Sequence, residues 1–119
     1  MNTHDIGATL VALCNEGKNF DVMHSLYAAN IVSVEGDGAE TAGKGPVIRK
    51  SEVWQGNNTI HSQVVRGPYF NGTRQFAVHF TFEVTPKATG TRMTIEEVGV
   101  YSVKGGKIER EQFFNDGQH

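Results

Sequence analysis

The sequence is poor in cysteine, proline, tryptophan and long apolar runs, and two of these shortages exclude whole classes of protein. Cys14 is the only cysteine among 119 residues, so no internal disulfide forms and we expect a reducing, cytoplasmic compartment. No apolar stretch approaches the ~20 residues that a membrane span needs. The N-terminal segment is polar and lacks the apolar region of a signal peptide. We therefore expect no membrane partner.

A surplus of positive charge is also missing. The chain carries 11 basic and 13 acidic residues, a formal net charge of −2, and no run of Lys or Arg. Proteins that bind nucleic acid or anionic membranes usually show a basic surplus or stripe. The charge pattern therefore predicts neither kind of partner.

The chain divides into a helical first half and a stranded second half, with no repeat or linker between them. Apolar residues recur at helical spacing early in the chain, and they alternate from Thr59 onward. The pattern predicts a single α+β domain over residues 1–119. The predicted helices cover about 4–16, 20–27 and 46–55, the predicted strands cover about 31–35, 59–67, 74–85, 91–103 and 108–114, and 36–45 is a glycine-rich loop.

The strand over 74–85 has the clearest alternation. One face is apolar and the other is mostly polar, so the apolar face needs a cover, and the helices are the only material available for it. The apolar face consists of Phe76, Val78, Phe80, Phe82 and Val84.

Several segments together resemble a known superfamily. They are 26–35 (LYAANIVSVE), Gly43–Pro46 followed by Ile48 and Trp54, and 98–103 with 106–108, closed by Phe113 and Phe114. The chain resembles the nuclear transport factor 2-like superfamily, which includes ketosteroid isomerases, limonene epoxide hydrolases and SnoaL-like polyketide cyclases, and is most similar to SnoaL-like domains. The resemblance implies a cone-shaped, curved antiparallel sheet wrapped around three N-terminal helices. It also implies an internal cavity and a homodimer formed through the outer face of the sheet.

The specific catalytic sets of two relatives are missing. The resemblance places the aspartate, the tyrosine and the protonated acid of ketosteroid isomerases near Gly36, Leu10 and Gly99. It places an arginine and an aspartate of epoxide hydrolases at Phe80 and Phe82, and the last-strand acid near Phe113. Neither of these two activities is expected.

Glu97 is the catalytic candidate that remains. It shares one face of its predicted strand with Ile95, Gly99 and Tyr101, and we expect this face to line the cavity. A carboxyl group in an apolar pocket acts as an acid or base near neutral pH, and Tyr101 or Tyr27 would donate a hydrogen bond beside it. The alternatives are that Glu97 pairs with Arg92 or Arg110, or that the strand has the opposite parity. The predicted ligand-binding residues are Trp54, Phe76, Phe80, Phe82, Met93 and Glu35. The alternative for Trp54 is that it is a core residue without contact to a ligand.

The parity of the last strand stays open. A two-residue turn at Gly105-Gly106 places Ile108, Arg110, Gln112 and Phe114 inside, whereas one bulge places Glu109, Glu111, Phe113 and Asn115 there.

Three functions follow from these observations. The first is acid–base chemistry on a small apolar carbonyl compound, without a metal or an organic cofactor. The five histidines are scattered along the sequence, which argues against a metal site. The second is non-catalytic binding of a small apolar molecule in the same cavity. The third is a dimeric protein–protein adaptor that uses the polar sheet face, with Gln75, His79, Thr81 and Glu83.

Overall fold

A computed structural model describes residues 1–115, so the last four residues of the predicted domain, including His119, lie outside the described residues. The described part contains three helices and six strands. In chain order they are α1 (Thr3–Asn15), α2 (Asn19–Leu26), β1 (Tyr27–Val34), β2 (Glu40–Ala42), α3 (Lys44–Gly56), β3 (Asn58–Asn71), β4 (Gln75–Pro86), β5 (Met93–Lys104) and β6 (Lys107–Phe114). None of the helices within residues 1–115 has the length and apolar character that crossing a membrane requires.

The six strands form one curved, unclosed sheet in the order β2-β1-β6-β5-β4-β3. Strands β3 to β6 form an antiparallel meander, in agreement with the antiparallel sheet that the resemblance implies. Strand β1 pairs in parallel with β6, so the sheet is not antiparallel throughout. This pairing brings the middle of the chain back against its last strand.

The helices cover one face of the sheet, with α1 packed on β3 and α3 packed on β1. The spacing of four residues between Ile6, Leu10 and Cys14 places all three on the buried side of α1. The alternation in β4 has the predicted effect, because Phe76, Val78, Phe80, Phe82 and Val84 all point into the core. The α+β architecture inferred from the sequence is therefore confirmed.

The structure corrects several predicted boundaries. Tyr27, predicted as the end of the second helix, is the first residue of β1. The predicted loop over 36–45 contains the short strand β2, which pairs with the end of β1. Strand β3 does not stop at Gly67-Pro68 but continues through that cis peptide bond to Asn71, with a register shift between Arg66 and Tyr69.

The last strand combines the two parities that the sequence leaves open. Val103 pairs with Ile108 and Ser102 pairs with Arg110, so Glu109 is an extra residue in β6. Ile108 points inward before this bulge. After it, Glu111 and Phe113 point inward, as in the second alternative. A bulge of one residue thus turns an acidic side chain into the core.

Candidate functional site

A cavity of about 550 Å³ lies between the helices and the concave face of the sheet. Its size is in the range of small-molecule sites. Most of its wall is apolar, and the polar exceptions include three glutamates and one lysine, Glu35, Glu97, Glu111 and Lys50.

Seven of the nine predicted site residues line this cavity. They are Tyr27, Glu35, Trp54, Phe80, Phe82, Glu97 and Tyr101. Phe76 and Met93 do not belong to the wall. Phe76 is fully buried behind Tyr101, with the two rings stacked at 5.2 Å. Met93 begins β5 opposite Val84, where it packs against the core as a partly buried side chain.

Aromatic rings make up much of the cavity wall. Phe80 and Phe82 stack with their centroids 5.6 Å apart, and Trp54 meets Phe82 edge-on at 5.8 Å. Phe113 packs edge-on against Tyr101 at 6.3 Å. Such a wall favours a flat, largely apolar ligand.

Gly99 keeps the cavity floor open beside Tyr101. A Cβ atom added at this position would lie 2.9 Å from Tyr101 Cε2, 3.1 Å from Phe80 Cε2 and 3.2 Å from the Tyr101 hydroxyl. The Tyr101 ring therefore leans over a residue that has no side chain. Within residues 1–115 the Tyr101 hydroxyl has no hydrogen-bond partner, and it belongs to the cavity wall.

Glu111 is the most deeply buried acid among the described residues, with 2% of its surface exposed. Its Oε1 accepts a hydrogen bond from the Tyr27 hydroxyl, and its Oε2 accepts one from Ser33 Oγ at 2.7 Å. Ser33 is the Cα partner of Glu111 across the β1–β6 pair. Tyr101 is the partner of Glu111 across the β5–β6 pair. The parallel pairing of β1 thus supplies both donors, and the hairpin supplies a free hydroxyl on the other side.

Burial dominates the electrostatics around this acid. It raises the pKa of Glu111 above its ordinary value, and the hydrogen bonds from Tyr27 and Ser33 only partly oppose this effect. Burial, followed by the charge of Glu111, raises the pKa values of the Tyr27 and Tyr101 hydroxyls well above the usual range. Both tyrosines therefore act as neutral hydrogen-bond donors.

Cys14 also lines the cavity but is not a nucleophile. Burial, with a smaller effect of the Glu111 charge, raises the pKa of its thiol to about 12. The thiolate is the reactive form of cysteine, so Cys14 remains a small apolar wall residue.

Lys50 and Glu35 form the polar end of the cavity. Lys50 Nζ donates to Ser33 Oγ at 2.7 Å and to Glu35 Oε1. The side chains of Lys50 and Glu35 are 28% and 34% exposed, so this ion pair reaches solvent.

Glu97 does not pair with either predicted arginine. Arg92 contacts Glu83 at 3.3 Å, and Arg110 contacts Gln112. Instead, Glu97 Oε2 accepts a hydrogen bond from Asn115 Nδ2 at 3.2 Å. The parity of β5 is the one that places Glu97 on the cavity side, together with Ile95 and Tyr101.

Sequence reasoning did not identify Glu111, Ser33 or Lys50 as site residues. One signal for Lys50 was present, since Val47, Lys50 and Trp54 follow each other at spacings of three and four on α3. Within residues 1–115 no group of three or more His, Cys, Asp or Glu side chains is arranged to hold a metal ion.

The comparisons with known proteins agree with this architecture. The sequence profile of the SnoaL-like domain matches residues 1–115. The chain belongs to the SnoaL-like family. No match is found among the curated proteins.

Solved structures of similar proteins include a close relative of this SnoaL-like protein. A protein of Mesorhizobium loti, provisionally named a SnoaL-like polyketide cyclase and carbohydrate phosphatase, is 43% identical over 96% of this chain and 99% of that chain, with a TM-score of 0.90. A Pseudomonas putida protein, provisionally named a polyketide cyclase, has a TM-score of 0.76 at 16% identity, covering 98% of this chain and 93% of that one. A Xanthomonas campestris protein with a cystatin-like fold has a TM-score of 0.73 at 20% identity over 99% and 93% of the two chains. The last two show the fold alone.

Proposed function

We propose that this SnoaL-like protein binds a small, largely apolar carbonyl compound in its cavity and exchanges a proton with it at Glu111. The observation that carries the proposal is a carboxyl group that is 2% exposed and forms part of an apolar cavity wall. A buried carboxyl with a raised pKa acts as an acid or base near neutral pH. Isomerisation, cyclisation and elimination next to a carbonyl group all begin with such a proton transfer.

The neighbours of Glu111 fit this chemistry. The Tyr101 hydroxyl makes no hydrogen bond within residues 1–115 and lines the cavity beside Gly99, where it can donate to a ligand oxygen. A hydrogen bond from a neutral hydroxyl to a developing oxyanion stabilises the charge that forms when a carbonyl compound loses a proton. The Tyr27 hydroxyl holds Glu111 Oε1 in place from the other side. Glu97, on the same wall, supplies a second carboxylate that orients the ligand.

Ligand binding is tested first by native mass spectrometry of the freshly purified protein, followed by denaturing extraction. We expect a compound of small-molecule mass bound to the wild-type protein and lost from Gly99→Ala, because the new methyl group displaces the Tyr101 ring and fills the cavity floor. We expect the substitution to weaken ligand binding by about tenfold or more and to destabilise the fold by about 1–3 kcal/mol.

The matched control is Gly56→Ala at the end of α3, where an added Cβ meets nothing within 4 Å. It should retain the ligand at the wild-type level. If the wild-type protein carries nothing and binds no member of a library of apolar carbonyl compounds, the proposal is wrong.

Non-catalytic binding in the same cavity is the alternative in which Glu111 only anchors the ligand. Recovery of the extracted compound unchanged after incubation with the protein favours it, whereas any protein-dependent product favours the proton transfer.

A homodimer through the outer face of the sheet is part of the proposal, as is a cytoplasmic location. Phe114, Val98, His79 and Arg66 are neighbours in one row across four strands on that face. Phe114 is 50% exposed and Val98 is 37% exposed. Apolar side chains grouped among polar ones are typical of an interface. Sedimentation equilibrium at micromolar concentration should give twice the monomer mass, and a strict monomer would refute the dimer.

A further inference from the structure

A chain of hydrogen bonds connects the buried carboxyl group to the polar end of the cavity, where the Lys50–Glu35 ion pair reaches solvent. It runs from Glu111 Oε2 to Ser33 Oγ at 2.7 Å, from Ser33 Oγ to Lys50 Nζ at 2.7 Å, and from Lys50 to Glu35. Exposure rises along this path from 2% at Glu111 and 0% at Ser33 to 28% and 34% at the Lys50 and Glu35 side chains. Each link has the donor and acceptor that transfer of a proton requires.

We infer that Glu111 exchanges its proton with solvent through Ser33 and the Lys50–Glu35 ion pair rather than through water in the apolar part of the cavity. The inference rests on the proposed acid–base role of Glu111 and names the residues that restore its protonation state. In this relay Ser33, Lys50 and Glu35 are positioning residues, since the proton that they move reaches the ligand through Glu111.

The other routes are less suitable. The Tyr27 hydroxyl, which binds Glu111 Oε1, has no second hydrogen-bond partner within residues 1–115, so a proton has no onward path from it. The cavity offers mostly apolar wall around the carboxyl, and a bound ligand excludes water from it. A ligand in the apolar part of the cavity therefore leaves the hydrogen-bonded chain as the path for the proton.

The proton balance of the relay is simple. When Glu111 is a carboxylate, Ser33 passes its hydroxyl proton to Glu111 Oε2 and takes one from the Lys50 ammonium, which is recharged from solvent. The reverse sequence carries a proton out, and Glu35 stabilises the ammonium in both directions.

The groups around Glu111 that affect its titration come from four directions. Tyr27 and Ser33 face it from β1, Lys50 from α3, Tyr101 from β5 and Cys14 from α1, and Glu35 adds a more distant negative charge. Only Ser33 connects Glu111 to an exposed charge by hydrogen bonds among the residues that the structure describes.

The relay is tested on the ligand-free protein by ¹³C NMR with labelled glutamate carboxyl carbons. The Glu111 resonance is assigned by its loss in Glu111→Gln and is followed through a pH titration. In the wild-type protein we expect one averaged resonance, because exchange through the relay is fast. In Ser33→Ala and Lys50→Met we expect exchange to be slower by about tenfold or more, which broadens or splits the resonance at the midpoint of the titration. We also expect the midpoint to rise, because Ser33→Ala removes a hydrogen bond and Lys50→Met removes a positive charge that favour the carboxylate.

Ser51→Ala is the matched control, since Ser51 lines the same cavity from α3 but makes no side-chain hydrogen bond to this chain of residues. It should leave both the line shape and the midpoint unchanged. An unchanged, sharply averaged resonance in Ser33→Ala shows that the proton enters through water in the apolar part of the cavity and overturns the relay. Slow exchange in Ser33→Ala but not in Lys50→Met overturns the role of the ion pair. Because no substrate is needed, these results are independent of whether the proposed chemistry is correct.

Discussion

Replacing Glu111 with glutamine is expected to lower turnover of the cavity's substrate by about 10²–10⁴-fold, the usual contribution of a positioned acid or base. Glutamine keeps the shape of the side chain and one carbonyl oxygen for the Tyr27 hydroxyl, but it cannot exchange a proton. The KM should change little, since the apolar wall that binds the ligand is untouched. Steady-state kinetics on the compound identified by mass spectrometry provides the measurement.

The matched variant is Glu97→Gln, which changes another glutamate of the same wall. Glu97 has a hydrogen bond from Asn115 and is not enclosed as Glu111 is. We expect its loss to reduce turnover by less than about tenfold, an effect on orientation only. The reverse ranking would return the catalytic role to Glu97, the residue that the sequence pattern favours.

The pH dependence of the stability of Glu111→Gln tests the protonation of Glu111 without a substrate. The pKa of Glu111 is raised in the folded protein, so the folded state holds a proton that the unfolded chain has already released. The stabilisation is fully present below the unfolded pKa and is lost as pH rises through the folded pKa. The free energy of unfolding of the wild-type protein relative to Glu111→Gln should therefore fall from acidic to neutral pH, by about 1.4 kcal/mol for each unit by which the pKa is raised.

Urea unfolding at a series of pH values measures this difference. The opposite trend would mean that Tyr27, Ser33 and Lys50 outweigh burial and hold Glu111 as a carboxylate in the folded protein.

The strand that was easiest to predict is the one whose environment is most uniform. Every second residue of β4 from Phe76 to Val84 is apolar and buried, because a strand with one covered face needs only that alternation. The same reasoning placed Glu97 and Tyr101 on the inner face of β5. Parity within a regular strand can therefore be predicted from the sequence when the apolar face is long.

Glu111 shows where this reasoning stops. Its inward position depends on one extra residue, Glu109, and the sequence of the Gly105-Gly106 turn allows either register. The register is fixed by the parallel partner β1, whose Ser33 lies opposite Glu111 although the two residues are 78 positions apart. A contact of that separation leaves no local pattern in the sequence.

Lys50 and Tyr27 were missed or misplaced for different reasons. From the sequence alone Lys50 is expected at the surface because its side chain is charged. Its long aliphatic stem nevertheless reaches from α3 to Ser33. Tyr27 fits the helical spacing of α2, but pairing with β6 makes it the start of β1. In both cases a tertiary contact overrides a correct local pattern.

Phe76→Ala is expected to lower the free energy of unfolding by about 3–5 kcal/mol, a large part of the 5–15 kcal/mol that is usual for a domain. Phe76 is fully buried, stacks on Tyr101 and packs against Phe70 at 6.1 Å. It belongs to a row of paired residues that includes Ser33, Glu111, Tyr101 and Phe76 on four neighbouring strands. Removing the ring leaves a void behind Tyr101, which the surrounding sheet cannot close.

Chemical denaturation of this variant is compared with Tyr69→Ala, which removes another ring from the neighbouring strand but one that is 59% exposed. That control should lose less than about 1 kcal/mol, as is usual for surface positions. Because the void lies behind Tyr101, Phe76→Ala should also weaken ligand binding, through a tyrosine that is no longer held over Gly99. A loss of binding with no loss of stability would instead mean that Phe76 touches the ligand directly, as the sequence pattern predicts.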